Sequence, residues 1–257
     1  MSNESISTNK LTIGYRVQNT EYRVQTDLDF ALQQGELVCM LGPNGCGKST
    51  LLRTLAGLQP PLSGEYRIQS TEYRPEKAVA LVLTERLSLE NTTVHEVVAM
   101  GRYPYTSFLG GLTPEDEAII SESLALVGFT GIPESRDTGI SKSFFNNHSD
   151  GEKQRILIAK ALAQQTPIIL LDEPTAHLDL PHRILILRLL RTLAHEQGKT
   201  VLISTHELDL ALALSDRILL MTPGRGIRLD TAEHLKKADA FTDAFGMDIF
   251  KPGASFR

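Results

Sequence analysis

Eight residues, Gly42-Pro43-Asn44-Gly45-Cys46-Gly47-Lys48-Ser49, restrict this chain more than any others. They fit the pattern G-x-x-x-x-G-K-[ST] in the context that gives it meaning. The apolar run Leu37–Leu41 before them predicts a strand, and Ser49–Ala56 after them has helical composition and stops at Gly57. Glycines let the backbone curl so that several N–H groups converge on phosphate oxygens, and the helix start adds partial positive charge. Lys48 then reaches the β and γ phosphates, and the Ser49 hydroxyl is placed to ligate Mg2+.

The rest of the chain supplies the sheet that such a loop needs. Glu65–Ser70, Val79–Leu83, Ile168–Leu171, Thr200–Ser204 and Arg217–Met221 read as strands. Between them, Thr93–Gly101, a segment opened by Thr113-Pro114-Glu115-Asp116, Pro181–His195 and Leu208–Leu214 read as helices. Alternation of this kind predicts a parallel sheet with helices on both faces. The first forty residues read instead as short strands separated by turns.

Composition narrows the classes. With 26 basic against 31 acidic residues the net charge is −5, which argues against a nucleic-acid-coating protein. The two cysteines, Cys39 and Cys46, lie apart from any cysteine or histidine cluster, which disfavours a disulfide scaffold or zinc site and fits a reduced, cytoplasmic compartment. Met1–Lys10 is polar, without the apolar centre of a secretory signal, and no apolar stretch is long enough to cross a bilayer.

Two strand ends carry further chemistry. Ile168–Leu171 leads into Asp172-Glu173, 124 positions after Lys48. At the C-terminal edge of a parallel sheet those acids arrive beside the phosphate loop, where Asp172 is expected to hold Mg2+ and Glu173 to act as general base on water. Thr200–Ser204 leads into Thr205-His206, placing an imidazole on the same edge as a donor to a γ-phosphate. Ser149 and Glu152 form a capping box, so His148–Arg155 reads as a helix start that doubles as a second anion site.

Taken in order, the phosphate loop, Ser149-Asp150-Gly151-Glu152, Asp172-Glu173-Pro174-Thr175, Ala176-His177-Leu178-Asp179 and Thr205-His206 resemble the ATP-binding subunit of an ABC transporter over nearly the whole chain. The resemblance implies a P-loop NTPase of α/β class: a RecA-like parallel-sheet core, an N-terminal antiparallel β subdomain and an inserted helical subdomain. It implies one domain over 1–257, with about 1–85 and 155–257 as the ATP-binding core and about 86–154 as the helical signature subdomain.

It also assigns residues. Tyr15 would stack on adenine; Gly42, Pro43, Asn44, Gly45, Cys46, Gly47, Lys48, Ser49 and Thr50 would hold phosphates. Ser149 and Gly151 would face the γ-phosphate bound by a second copy, with Asp179 at the contact between copies. Glu173, His206 and Lys48 would be catalytic, and Ser49 and Asp172 would ligate the metal. Thr84 or Glu85 stands where the family has a metal-ligating glutamine, His148 where it has leucine, and Asp150 where it often has glycine. The implied partners are a head-to-tail twin sharing ATP and Mg2+, polytopic permease subunits and, through them, a substrate-binding protein. The implied place is the inner face of the cell membrane.

Val97–Pro104 is similar to the matching segment in ATPases of iron-siderophore, haem and cobalamin importers. The competing reading is a soluble ABC-type ATPase in macromolecular assembly, such as iron–sulfur cluster scaffolding. A kinase or GTPase leaves Ser149–Glu152 and His206 without a role. Cys46 is expected to have a lowered pKa, from loop amides and Lys48, and to be alkylated readily.

Overall fold

A computed structural model describes residues 3–18, 20–68, 75–83, 89–106, 111–129, 140–176 and 178–246. Thr84 and Glu85 lie outside the described residues. The six-stranded main sheet contains β4 (Leu37–Leu41), β6 (Val79–Val82), β7 (Ile168–Asp172), β8 (Thr200–Ser204), β9 (Arg217–Thr222) and β10 (Gly226–Asp230), in the order β10-β9-β4-β8-β7-β6. All neighbours run parallel except β10, which returns antiparallel along β9.

Each central strand is an apolar run because both of its faces are covered. The two-residue side-chain period divides β4 between two cores. Leu37, Cys39 and Leu41 pack toward the helices after β6, together with Ile169, Leu171, Val201 and Ile203. Val38 and Met40 pack the other way with Leu51, Leu52, Ile168, Leu170 and Leu202. The helix α1 (Lys48–Leu55) belongs to that second core.

The N-terminal region is a four-stranded antiparallel sheet built on one long strand rather than several short ones. β1 (Glu4–Val17) pairs with β2 (Thr20–Leu28) through its second half, and with β3 (Ala31–Gln33) and β5 (Ser63–Ile68) through its first. Lys10 has φ 46° near the changeover, and the register shifts on both sides of it. That bulge lets one strand serve two partners, and it hides the continuity from a reading by alternation.

After the short α2 (Pro75–Ala78) and β6, three helices start on the same device. α3 (Val94–Ala99), α4 (Pro114–Leu126) and α5 (Asp150–Ala163) each begin with a hydroxyl N-cap and an acid at the third helical position, bonded reciprocally: Thr93 with Glu96, Thr113 with Asp116, Ser149 with Glu152. The expected helix Thr93–Gly101 is shorter, tightening after Ala99 into a 3-10 turn over Met100–Tyr105. Close approach is the reason, because a Cβ on Gly101 would sit 2.3 Å from Lys160 O of α5.

The same turn closes the far end of α5. Arg102, 5% exposed, donates to Asp116 Oδ1 at 2.7 Å, Ala163 O at 2.8 Å and Gln165 Oε1 at 2.9 Å. Its guanidinium lies 4.2 Å from the Tyr105 ring centroid, and Tyr105 Oη donates to Gln164 O at 2.8 Å. Two carbonyls that a helix end leaves without intrahelical partners are thereby satisfied. α6 (Leu180–His195), α7 (Leu208–Leu214), α8 (Ala232–Lys237) and α9 (Ala240–Phe245) are the remaining α-helices of the described residues. Among the described residues no helix is long and apolar enough to cross a membrane.

Candidate functional site

The loop between β4 and α1 is shaped by Gly47, which stands at the helix N-cap with φ 105°. A side chain there would be strained and would place Cβ 2.6 Å from Val24 Cγ1. Glycine also makes no side-chain cap, so the first-turn amides of α1 are left for an anion. Lys48, 6% exposed, donates from Nζ to Gly42 O at 2.8 Å and Pro43 O at 3.2 Å. The ammonium is thus held across the loop by two neutral acceptors, which an anion outcompetes. Asn44 and Gly45 are exposed, while Ser49 and Thr50 are half-buried at the helix start.

The two strand ends meet as expected. Asp172 and Ser204 are register partners on β7 and β8. Ser204 Oγ donates to Asp172 Oδ1 at 2.5 Å and accepts from Glu173 N at 2.9 Å. Glu173 itself has φ 47°, a left-handed conformation costing a non-glycine residue about 1–3 kcal/mol. The turn brings Glu173 Oε1 to 2.5 Å from His206 Nε2. Both side chains retain access to solvent, at 29% and 43%. A carboxylate paired with an imidazole can accept a proton from water.

Ser204 was missed from the sequence, where it reads as the last residue of an apolar strand. Its signal was register, since the polar end of one strand sits opposite the acidic end of its neighbour. Gln25 was also missed. It is 2% exposed and donates through Nε2 to Cys46 O at 3.0 Å and Thr222 O at 3.1 Å, fastening the phosphate loop to the end of β9. No short-range pattern connects positions so distant in the chain.

Cys46 behaves against expectation. It is 3% exposed and packs in the second core. Burial pushes its pKa up, and the opposing effects of Lys48 and nearby backbone donors do not overcome this. The expected activated thiol is a buried neutral one.

Tyr15, half exposed on β1, stacks on its cross-strand partner Tyr22 with centroids 5.5 Å apart and planes 18° from parallel. A flat aromatic surface of this kind suits a planar base. Ser149 is exposed at the N-cap of α5, with Gly151 in the first turn. Among the described residues neither is hydrogen-bonded to the phosphate loop of its own chain. His148 fills its position by turning inward, with Nε2 2.6 Å from Ser143 Oγ and Nδ1 3.6 Å from Glu152 Oε2. Asp179 caps α6, accepting from His182 N at 3.2 Å and pairing with His182 Nδ1 at 2.5 Å. The His182 side chain and backbone hold its carboxyl below the ordinary range.

The donors at the strand ends and helix start are hard oxygens, as Mg2+ prefers. Among the described residues no group of three or more His, Cys, Asp or Glu side chains forms a metal cage. Ser49 and Asp172 therefore fit an ion that also takes oxygens from a bound phosphate.

Comparison with known proteins gives the family. A family model described as ABC transporter matches residues 25–176. The iron(3+)-hydroxamate import ATP-binding protein FhuC of Bacillus subtilis is 34% identical over 252 residues, 95% of this chain and 88% of that protein. The hemin import ATP-binding protein HmuV of Streptomyces coelicolor is 38% identical over 221 residues, 82% of this chain and 74% of that protein. The solved dimer of the ATP-binding cassette MJ0796 in a post-hydrolysis state, bound to ADP and Pi, superimposes with a TM-score of 0.75 at 26% identity, covering 88% of this chain and 98% of that one.

Proposed function

The chain belongs to the ABC transporter family, and on that footing we propose that it is the ATP-hydrolysing subunit of a membrane importer for an iron-siderophore, haem or cobalamin. The pairing of Glu173 with His206 on the sheet edge beside the phosphate loop carries the reading. The names of the relatives support the cargo class, as does the similarity of Val97–Pro104 to such importers.

In this reading the domain acts as one ATPase unit over residues 1–257, with about 86–154 as the helical signature subdomain. Tyr15 stacks on adenine. The loop Gly42–Ser49, with Thr50, holds the phosphates, and Lys48 leaves Gly42 O and Pro43 O for the β and γ oxygens. Ser49 and Asp172 hold Mg2+, which neutralises phosphate charge when bound. Glu173 Oε1 takes a proton from the attacking water, and His206 orients Glu173 and the γ-phosphate. Ser149 and Gly151 complete the site of a second copy, with Asp179 at the seam. The dimer works at the inner face of the membrane against permease subunits fed by a substrate-binding protein. Closing on ATP and reopening after hydrolysis moves that partner.

The test is purification of the chain from its native membrane, identification of the copurifying permease, and reconstitution of both in vesicles. Uptake of a ferric siderophore, haem or cobalamin at the expense of ATP is expected, and it should stop with Glu173→Gln. Uptake that persists in that variant overturns the assignment.

A further inference from the structure

Two side chains outside every recognised motif join the loops that carry the site. Glu207 follows His206 directly, and its carboxylate accepts from both sides. Oε1 accepts from Thr175 Oγ1 at 3.1 Å, and Oε2 from Arg183 Nη1 at 2.8 Å. The other arm of the guanidinium, Nη2, donates to Leu178 O at 3.2 Å, on the peptide that leads into Asp179. Arg183 is further tied to this turn by its own N–H, which donates to Asp179 O at 2.9 Å. Glu207 N donates to Thr205 Oγ1 at 3.0 Å, fixing the residue on the other side of His206.

One ion pair therefore touches three places: two residues beyond Glu173, one before Asp179 and one beyond His206. Neither partner is a surface group, with side chains 28% and 25% exposed, so solvent screens the pair only partly. The planar fork of arginine lets one group span Glu207 and Leu178 O at once, which a lysine ammonium at the end of a flexible stem reproduces poorly. Among the described residues Arg183 Nε is buried without a partner, and the group is held through its two terminal nitrogens. A guanidinium gripped at both terminal nitrogens links the two places it touches.

We propose that the Arg183–Glu207 pair is a positioning element that couples the loop of Asp179 to His206, so that closure of the seam between two copies resets where His206 stands relative to the bound phosphate. This rests on the reading that Glu173 and His206 hydrolyse ATP and that Asp179 lies at the seam. Displacement of Leu178 and Asp179 on closure is passed through Arg183 to Glu207, and from there to the adjoining His206.

The experiment compares the full chain with Arg183→Met, Glu207→Gln, the two combined, Arg183→Lys and the charge-reversed pair Arg183→Glu/Glu207→Arg. It reads kcat, KM and the Hill coefficient for ATP, together with ATP affinity by calorimetry and the melting temperature. Each single variant is expected to lower kcat about tenfold and bring the Hill coefficient toward one, with ATP affinity within about twofold. The combined variant should be no worse than the poorer single one, as for partners in one interaction. The charge-reversed pair should not recover the loss, because a carboxylate at 183 has no donor for Leu178 O and a guanidinium at 207 cannot accept from Thr175 Oγ1; nor should Arg183→Lys, whose ammonium lacks the fork. Should Arg183→Met melt too early to assay, Glu207→Gln and Arg183→Lys carry the same comparison.

Unchanged kcat and Hill coefficient in the single variants overturn the proposal, as do losses that multiply in the combined variant. A fall in melting temperature without change in kcat also overturns it, since that marks a purely structural pair. Absence of ATP turnover in the unmodified chain defeats the parent reading and this inference with it, and it is visible before any variant is made.

Discussion

His206 Nε2 lies 2.5 Å from Glu173 Oε1, so the imidazole and the carboxylate are in direct contact. The two residues come from different strand ends, and Ser204 is what brings those ends into line. It bonds Asp172 through its hydroxyl and receives Glu173 N on both Oγ and its carbonyl oxygen. Changing His206 to alanine leaves Glu173 a base without its companion. Turnover should fall about 10²-fold or more while ATP affinity changes little, measured as phosphate release alongside calorimetric titration. Turnover within threefold of the unmodified chain would show that the contact is incidental.

Lys48 is expected to be more costly to remove at the binding step. Its ammonium bridges Gly42 O and Pro43 O, so Lys48→Ala deletes both the proposed phosphate ligand and a clasp of the loop. ATP affinity should fall by about tenfold or more, from loss of charge-assisted bonds. Unchanged affinity by calorimetry contradicts the role.

Cys46 should resist alkylation at neutral pH. The thiolate is the reactive form, and burial raises the pKa, so less thiolate exists at any given pH than in a free thiol. Labelling followed by mass spectrometry should find Cys46 unmodified under conditions that label an unfolded control, and activity should survive. Cys39 adds a sign for stability. Burial pushes its pKa from 9.0 up to about 12, so its contribution to folding is complete below 9 and is lost as pH rises toward 12. Melting temperature should therefore decline across that interval, and Cys39→Ala should decline less steeply.

The capping acids predict the opposite limb. Backbone and side-chain bonds from Thr93 lower Glu96, and those from Ser149 lower Glu152; the Thr113 backbone, Arg102 and the Thr113 side chain lower Asp116. Groups held below their ordinary values stabilise the fold above those values and cease to do so as pH falls through the lowered ones. Thermal melts should lose stability below about pH 4, the ordinary carboxyl range. Glu96→Gln combined with Glu152→Gln should flatten that loss, and an unaltered acid limb would refute the account.

Arg102→Met tests the buried pair. Arg102 and Asp116 are each 5% exposed, so the variant strands a carboxylate that, among the described residues, Thr113 alone then serves. A destabilisation of about 3 kcal/mol or more is expected in urea melts. Adding Asp116→Asn should restore part of it.

Legibility in the sequence followed the range of the interaction. The strand, glycine loop and helix around Lys48 are local, and so is the start of α4 at Thr113-Pro114, where cap, proline and acids lie within four residues. Ser149 and Glu152 were readable for the same reason. The continuity of β1 was not, because its two halves answer to different partner strands. β10 was not foreseen, since its residues are only partly buried and carry no apolar run. The thiol of Cys46 was misjudged because loop amides and Lys48 can be counted in sequence, whereas burial beneath β9 cannot. Gln25 bonds residues 21 and 197 positions away, and Arg183 pairs with Glu207, 24 positions away, where no pattern of neighbours gives warning.

The clamp at Ala163 and Gln164 has a mechanical meaning. α5 is a helix of 14 residues, about 21 Å long, whose tip bears Ser149 and whose heel is gripped by Arg102 and Tyr105. A tilt of about 5° at the heel swings the tip by roughly 2 Å, farther than a hydrogen bond tolerates. In the proposed dimer, pressure on the Met100–Tyr105 turn would therefore be felt at the opposite end, where Ser149 is to meet the second copy's nucleotide.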